Sequence, residues 1–105
     1  MADIKTRIKG LPTTSGVYLY KDAAGSVIYI GKAVNIRKRV GSYFRKDTGS
    51  LKTDHLVSRI AGIDTVQTAS EAEALILEAS LIKQYQPKYN IELKDGKTYP
   101  YIQIT

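Results

Sequence analysis

Gly16-Val17-Tyr18-Leu19-Tyr20, then Lys21-Asp22-Ala23-Ala24-Gly25, then Ser26-Val27-Ile28-Tyr29-Ile30-Gly31 is the stretch on which the fold turns. Two runs rich in β-branched and aromatic residues flank a turn-forming link with Gly near its end, the pattern of a β-hairpin. With Asp22 to Gly25 as the loop, Lys21 faces Ser26, Tyr20 faces Val27 and Tyr18 faces Tyr29. Because side chains alternate along a strand, Tyr18, Tyr20, Val27, Tyr29 and Gly31 then share one face while Val17, Leu19, Ile28 and Ile30 fill the other. The aliphatic face is the expected core face.

Working outward, Ile4 and Ile8 at helical spacing predict a short amphipathic helix or an ordered arm before Leu11-Pro12. After the hairpin, Asn35 is placed to cap a helix through Phe44, with Ile36, Val40, Tyr43 and Phe44 on one face. Residues 45–52 read as a polar loop. Thr53 or Asp54 then caps a second helix carrying Leu56, Val57 and Ile60 inward and ending at Gly62. Ile63 to Thr68 alternates as a short strand, and Ser70 with Glu73 forms a capping box for a helix from Glu71 to about Gln84, limited by Pro87. Residues 88–98 read as polar and irregular, and Tyr99 to Ile104 as a closing strand. The sum is an α+β domain, a small and mostly antiparallel sheet flanked by helices, occupying residues 1–105 as one unit.

Composition narrows the chemistry. The chain has 105 residues, 16 Lys+Arg against 10 Asp+Glu for a net charge of +6, no Cys, one His and eight Tyr. Without Cys there is no thiol nucleophile, disulfide or thiolate zinc site, and one His cannot build a His-rich metal centre, so any metal must sit on oxygen ligands. Apolar runs are far too short to span a bilayer, which reads as a soluble, cytoplasmic protein with no membrane partner. The positive charge points to a polyanion, most often nucleic acid.

Three constellations stand out. Lys32, Arg37, Lys38, Arg39, Arg45 and Lys46 fall within fifteen residues that hold no acid, a stripe able to neutralise phosphates. Glu78 has Ala74, Leu75, Leu81 and Ile82 as helical neighbours, so its carboxylate projects from or beside an apolar stripe, where it is either ion-paired, protonated or holding a cation. Tyr18 and Tyr29 form a cross-strand pair with Lys32 close behind, while Gly31 on the same face leaves room for a phosphate or a backbone. His55 reads as structural or surface.

Gly16-Val17-Tyr18, Tyr29-Ile30-Gly31-Lys32-Ala33, Asn35, Arg37-Lys38-Arg39, Leu77-Glu78 and Pro87-Lys88-Tyr89-Asn90 together resemble the GIY-YIG nuclease domain. Ser42-Tyr43-Phe44, Glu73-Ala74-Leu75, Leu81-Ile82-Lys83 and the segment Lys94 to Ile102 resemble more narrowly the form at the N-terminus of the UvrC family of bacterial nucleotide excision repair. Val17 replaces the central Ile of the first tripeptide, a conservative change. The resemblance implies metal-dependent hydrolysis of a phosphodiester in double-stranded DNA, on the 3′ side of a lesion. It makes Tyr18, Tyr29, Lys32, Arg39, Glu78 and Asn90 the catalytic site, with Tyr43 nearby and Gly31 allowing close approach of the DNA, and the basic stripe adds Arg37, Lys38, Arg45 and Lys46 as DNA contacts. It also implies a monomeric domain excised from a longer chain, working with UvrB in a UvrA/UvrB/UvrC system through regions outside these residues. A standalone GIY-YIG nuclease is the neighbouring alternative, and a DNA-binding module with a decayed site is the alternative from another class.

For that chemistry a lone carboxylate suits one hydrated Mg²⁺ or Mn²⁺ rather than two ions, since a two-metal site needs several converging carboxylates. Arg39 matches phosphate oxygens with its planar fork. A phenol is the remaining acceptor for the proton of water, and only roughly 0.3% of an ordinary Tyr is ionised near pH 7.5. Lys32, Arg39 and the metal are the charges expected to lower that pKa, and Tyr29 and Tyr18 are both candidates for the base.

Overall fold

The computed structural model describes residues 4–44 and 51–90. Its elements run α1 (Ile4–Lys9), β1 (Gly16–Lys21), β2 (Val27–Ala33), α2 (Ile36–Tyr43), α3 (Leu51–Arg59), β3 (Gly62–Gln67) and α4 (Glu71–Tyr85). The sheet is antiparallel throughout in the order β2-β1-β3. The expected closing strand at Tyr99–Ile104, and Arg45 and Lys46, lie outside the described residues.

The hairpin forms, in a register displaced by two residues from the expected one. The turn closes on Asp22 and Ser26, one residue tighter, with Gly25 at φ 88° in the left-handed region. Asp22 Oδ1 accepts from the amides of Ala24 and Ser26, both at 3.0 Å, and so fixes the turn. The second step is a bulge at Ile28, after which Tyr20 faces Tyr29 and Tyr18 faces Gly31, not Tyr29. Two single steps restore the face assignment of every β2 residue beyond the bulge. Ile28 itself is turned into the tyrosine cluster rather than the aliphatic one.

Both faces of β1 are core. Val17, Leu19 and Ile30 pack with Ala74 of α4 on one face, while Tyr18 and Tyr20 pack with Ile36, Val40, Tyr43, Leu56 and Ile63 on the other. The expectation of a single aliphatic core face is therefore corrected: a central strand flanked by helices on both sides has no solvent face, and the tyrosine side holds the larger cluster. Gly16 is required at the start of β1, because a Cβ there would run into the Val66 carbonyl and the Ile36 side chain.

Local signals set the helices. Asn35 caps α2 by accepting from the Lys38 amide at 3.0 Å. Ser70 accepts from the Glu73 amide while Glu73 accepts from the Ala69 amide, the expected box at the start of α4. Thr53 and Asp54 lie inside α3 rather than capping it, and α3 ends at Arg59, before Gly62 opens β3. Nor are residues 88–90 irregular: they are helical, and Pro87, Tyr89 and Asn90 are buried. Tyr89 joins the tyrosine-side core, where its ring meets that of His55.

Candidate active site

Strand alternation and the α2 repeat deliver four phenols to one place. Tyr18 and Tyr20 come from β1, Tyr29 from β2 and Tyr43 from the last turn of α2, with ring centroids 5.1 to 6.4 Å apart. The Tyr18 hydroxyl donates to that of Tyr43 at 3.0 Å, and the Tyr43 hydroxyl reaches that of Tyr29 at 3.5 Å. Tyr29 is the least buried of the four. Tyr43, expected on the DNA-facing surface, is instead the buried centre of this chain of hydroxyls.

Gly31 fits the same packing. A Cβ at Gly31 would collide with the Tyr18 ring and hydroxyl, so the close approach that this glycine permits is that of Tyr18, not of a phosphate. Arg39 projects from α2 over the Tyr43 ring, its guanidinium carbon 5.3 Å from the centroid.

Burial dominates the electrostatics. Desolvation pushes the Tyr18, Tyr20 and Tyr29 phenols well above the ordinary range, and crowding among the phenols pushes further. Arg39 acts in the opposite sense on Tyr20 and Tyr29, and the phenols in turn raise the pKa of Arg39. Glu78 is close enough that its charge opposes ionisation of Tyr29. Arg39, not Lys32, is the protein cation that favours the ionised phenol. Lys32 stands opposite Val17 and so on the other face of the sheet, exposed on the β2 edge.

Glu78 is half-buried on α4, beside the Ala74, Leu77, Leu81 and Ile82 side that packs on the sheet. Leu75, expected in that stripe, is 51% exposed, because its position a quarter-turn beyond Ala74 turns it off the sheet. Among the described residues no three or more His, Cys, Asp or Glu gather as a metal cluster. A lone carboxylate completed by water and phosphate would be a hard-oxygen set of the kind that suits magnesium.

Asn90 is 2% exposed and both ends of its amide are engaged. Its Oδ1 accepts from the Ile30 amide at 2.7 Å and its Nδ2 donates to the Ile30 carbonyl at 2.8 Å, as a neighbouring strand would. The structure therefore brings Tyr18, Tyr29, Tyr43 and Arg39 together with Glu78 beside them, and holds Asn90 behind the β2 edge. Arg37 and Lys38 are exposed on α2, and Arg37 is anchored by donation from Nε to the Leu11 carbonyl at 3.0 Å. Tyr20 carries no role in the sequence reading; among the described residues its buried hydroxyl has no partner.

Phenols, one guanidinium and a single carboxylate at the edge of a small antiparallel sheet define the GIY-YIG class of site. Residues 14–91 match the family model for the UvrC-like GIY-YIG domain, and the chain belongs to that family. It is 52% identical over its full length to UvrABC system protein C of Treponema denticola, of which it covers 17%. It is 57% identical over 94% of its length to that of Prosthecochloris aestuarii, of which it covers 16%. The chain thus spans about a sixth of the length of these relatives. The structure superposes on the GIY-YIG N-terminal endonuclease domain of UvrC from Thermotoga maritima, solved bound to its catalytic divalent cation, magnesium, with a TM-score of 0.74. Identity there is 38%, over 85% of this chain and 98% of that one.

Proposed function

We propose that this chain is the nuclease domain of a longer UvrC-type protein and hydrolyses a phosphodiester of double-stranded DNA with one divalent cation, making the incision 3′ to a lesion. The observation that carries this reading is the convergence of Tyr29, Tyr43 and Arg39 with the carboxylate of Glu78 beside them. In this reading UvrB, loaded with UvrA, brings the damaged strand to the domain through the rest of the protein, in the cytoplasm. Among the described residues no helix is long and apolar enough to cross a membrane.

Glu78 and bound waters hold the cation, which supplies positive charge to the phosphate and the leaving oxygen. Tyr29 accepts the proton of the attacking water, because it is the phenol most open to solvent and Arg39 favours its ionised form. Tyr18 is buried against Gly31 and serves to hold Tyr43 and thereby Tyr29. Arg39 remains charged at any working pH and meets the charge that grows on the phosphate oxygens as the water oxygen bonds to phosphorus and the ester oxygen departs. Lys32 contacts phosphate from the β2 edge, and Asn90 positions Tyr29 by holding Ile30.

The test is nicking of supercoiled DNA by the full chain, with and without Mg²⁺, by the parent and Glu78→Gln. Loss of at least about 10²-fold in the variant, with duplex binding retained, is expected from removing the sole carboxylate ligand. Nicking by Glu78→Gln at the parental rate overturns the reading.

A further inference from the structure

A groove of ≈ 460 Å³ runs along α2 away from the phenols, lined by Val34, Asn35, Lys38, Arg39 and Ser42. Arg39 is shared between the two, its guanidinium lying over the Tyr43 ring and the residue also lining the groove. Val34, 62% exposed, contributes an apolar side chain to the lining of this cationic groove. Its backbone is held, since the Val34 carbonyl accepts from Ser15 Oγ at 3.4 Å. The Ser42 hydroxyl donates to the Arg39 carbonyl at 2.6 Å.

The helix end does not supply the anion-binding groups. Each of the first four amides of α2 has a partner within the chain: Ile36 donates to the Thr14 carbonyl, Arg37 to Pro12, Lys38 to the Asn35 side chain and Arg39 to the Asn35 carbonyl. Any anion in the groove is therefore met by the Lys38 and Arg39 side chains. Among the described residues no acid lines the groove. Two cations and an exposed aliphatic side chain, within a volume on the scale of a small-ligand pocket, match one sugar-phosphate unit: phosphate for the cations and the apolar face of a deoxyribose for the valine.

We propose that this groove seats the nucleotide adjoining the cleaved bond, with its phosphate on Lys38 and its deoxyribose against Val34. The proposal rests on the nuclease reading above, because Arg39 ties the groove to the reacting phosphate. It makes α2 the element that sets the direction in which the cleaved strand leaves the phenol cluster.

The test measures the affinity of the full chain for a 20-base-pair duplex, without divalent metal, over a salt series. Parent, Val34→Asp, Val66→Asp and Lys38→Gln are compared. Val66 is also exposed, at 42%, on β3 outside the groove, so Val66→Asp controls for the added charge alone. Val34→Asp is expected to weaken binding at least 10-fold and Val66→Asp less than 2-fold. Lys38→Gln is expected to lower the slope of log affinity against log salt by about 1, the signature of one lost phosphate contact. Equal effects of Val34→Asp and Val66→Asp, or an unchanged slope for Lys38→Gln, overturn the groove and leave the nuclease reading standing. Failure of the parent chain to bind duplex overturns both. Because all three positions are exposed, unfolding temperatures within about 2 °C of the parent are the expected control.

Discussion

Asn90→Ala separates a residue that builds the site from one that touches the substrate. The Asn90 amide takes both backbone groups of Ile30, at 2.7 and 2.8 Å, in a place only 2% exposed. Truncation leaves a buried N–H and a buried C=O without partners, each costing about 1–3 kcal/mol, so a loss of about 2–4 kcal/mol is expected after partial relaxation. For a domain of this size 1 kcal/mol moves the unfolding midpoint by roughly 4–8 °C, which gives a drop of about 8–32 °C. Ile30 sits between Tyr29 and Gly31, so loosening it also releases Tyr29 from Tyr43. Thermal unfolding by circular dichroism, paired with nicking well below the lowered midpoint, checks both effects. Asn90→Asp keeps the acceptor for the Ile30 amide but sets an anion against the Ile30 carbonyl, and is expected to fall at least as far. A midpoint within 2 °C of the parent for Asn90→Ala, together with a nicking loss above 100-fold, refutes this reasoning and moves Asn90 onto the substrate.

Tyr29 is held as a neutral phenol by burial, so if it is the base the nicking rate should rise about 10-fold per pH unit from pH 7 to about 9. A plateau across that range would identify another group. Tyr29→Phe should lose at least about 100-fold in nicking with little change in duplex affinity, and Tyr18→Phe less, since Tyr18 acts through Tyr43. The raised pKa values of Tyr18, Tyr20 and Tyr29 mean that the unfolded chain ionises first. Stability is therefore full below about pH 10 and falls as pH rises beyond it, by up to about 1.4 kcal/mol per pH unit for each phenol; denaturant midpoints between pH 8 and 11 measure this. Tyr20→Phe removes a buried hydroxyl with no partner and should leave the unfolding midpoint unchanged or higher, read by the same thermal melt.

The elements were legible in the sequence wherever a local signal sets them. Asn35, the Ser70 and Glu73 box and the turn around Asp22 all act within four residues, and all three sit at element ends in the structure. Register was harder, because it depends on events that leave no periodic mark. One residue was lost from the turn and one gained in the bulge at Ile28, and although the two shifts add to an even number and keep the faces beyond the bulge, they turn over Val27 and Ile28 and change every cross-strand partner. Which face of β1 would be core was not a property of the hairpin at all. It depended on α2 and α3 covering one side while α4 covered the other.

The site divides in the same way. Tyr18, Tyr29, Arg39 and Glu78 could be named because each type has a distinct chemistry, whereas what each one touches is a tertiary result. Gly31 illustrates this: the glycine was singled out for the space it leaves, and the space is filled by Tyr18. That substitution of a phenol for a phosphate changes the mechanism. A phosphate against Gly31 would have brought the cleaved bond onto the face of the sheet, beside Tyr18. With Tyr18 sealed there and donating to Tyr43, Tyr29 is the most solvent-open of the hydroxyl-linked phenols, and in the proposed mechanism the reacting water meets the site there. The β2 edge also carries exposed Lys32 and, behind it, the Asn90 amide that completes the hydrogen bonds of Ile30. Those two bonds make the edge rigid where Tyr29 must be held, and they occupy the backbone groups through which another strand would otherwise add to the sheet at that point.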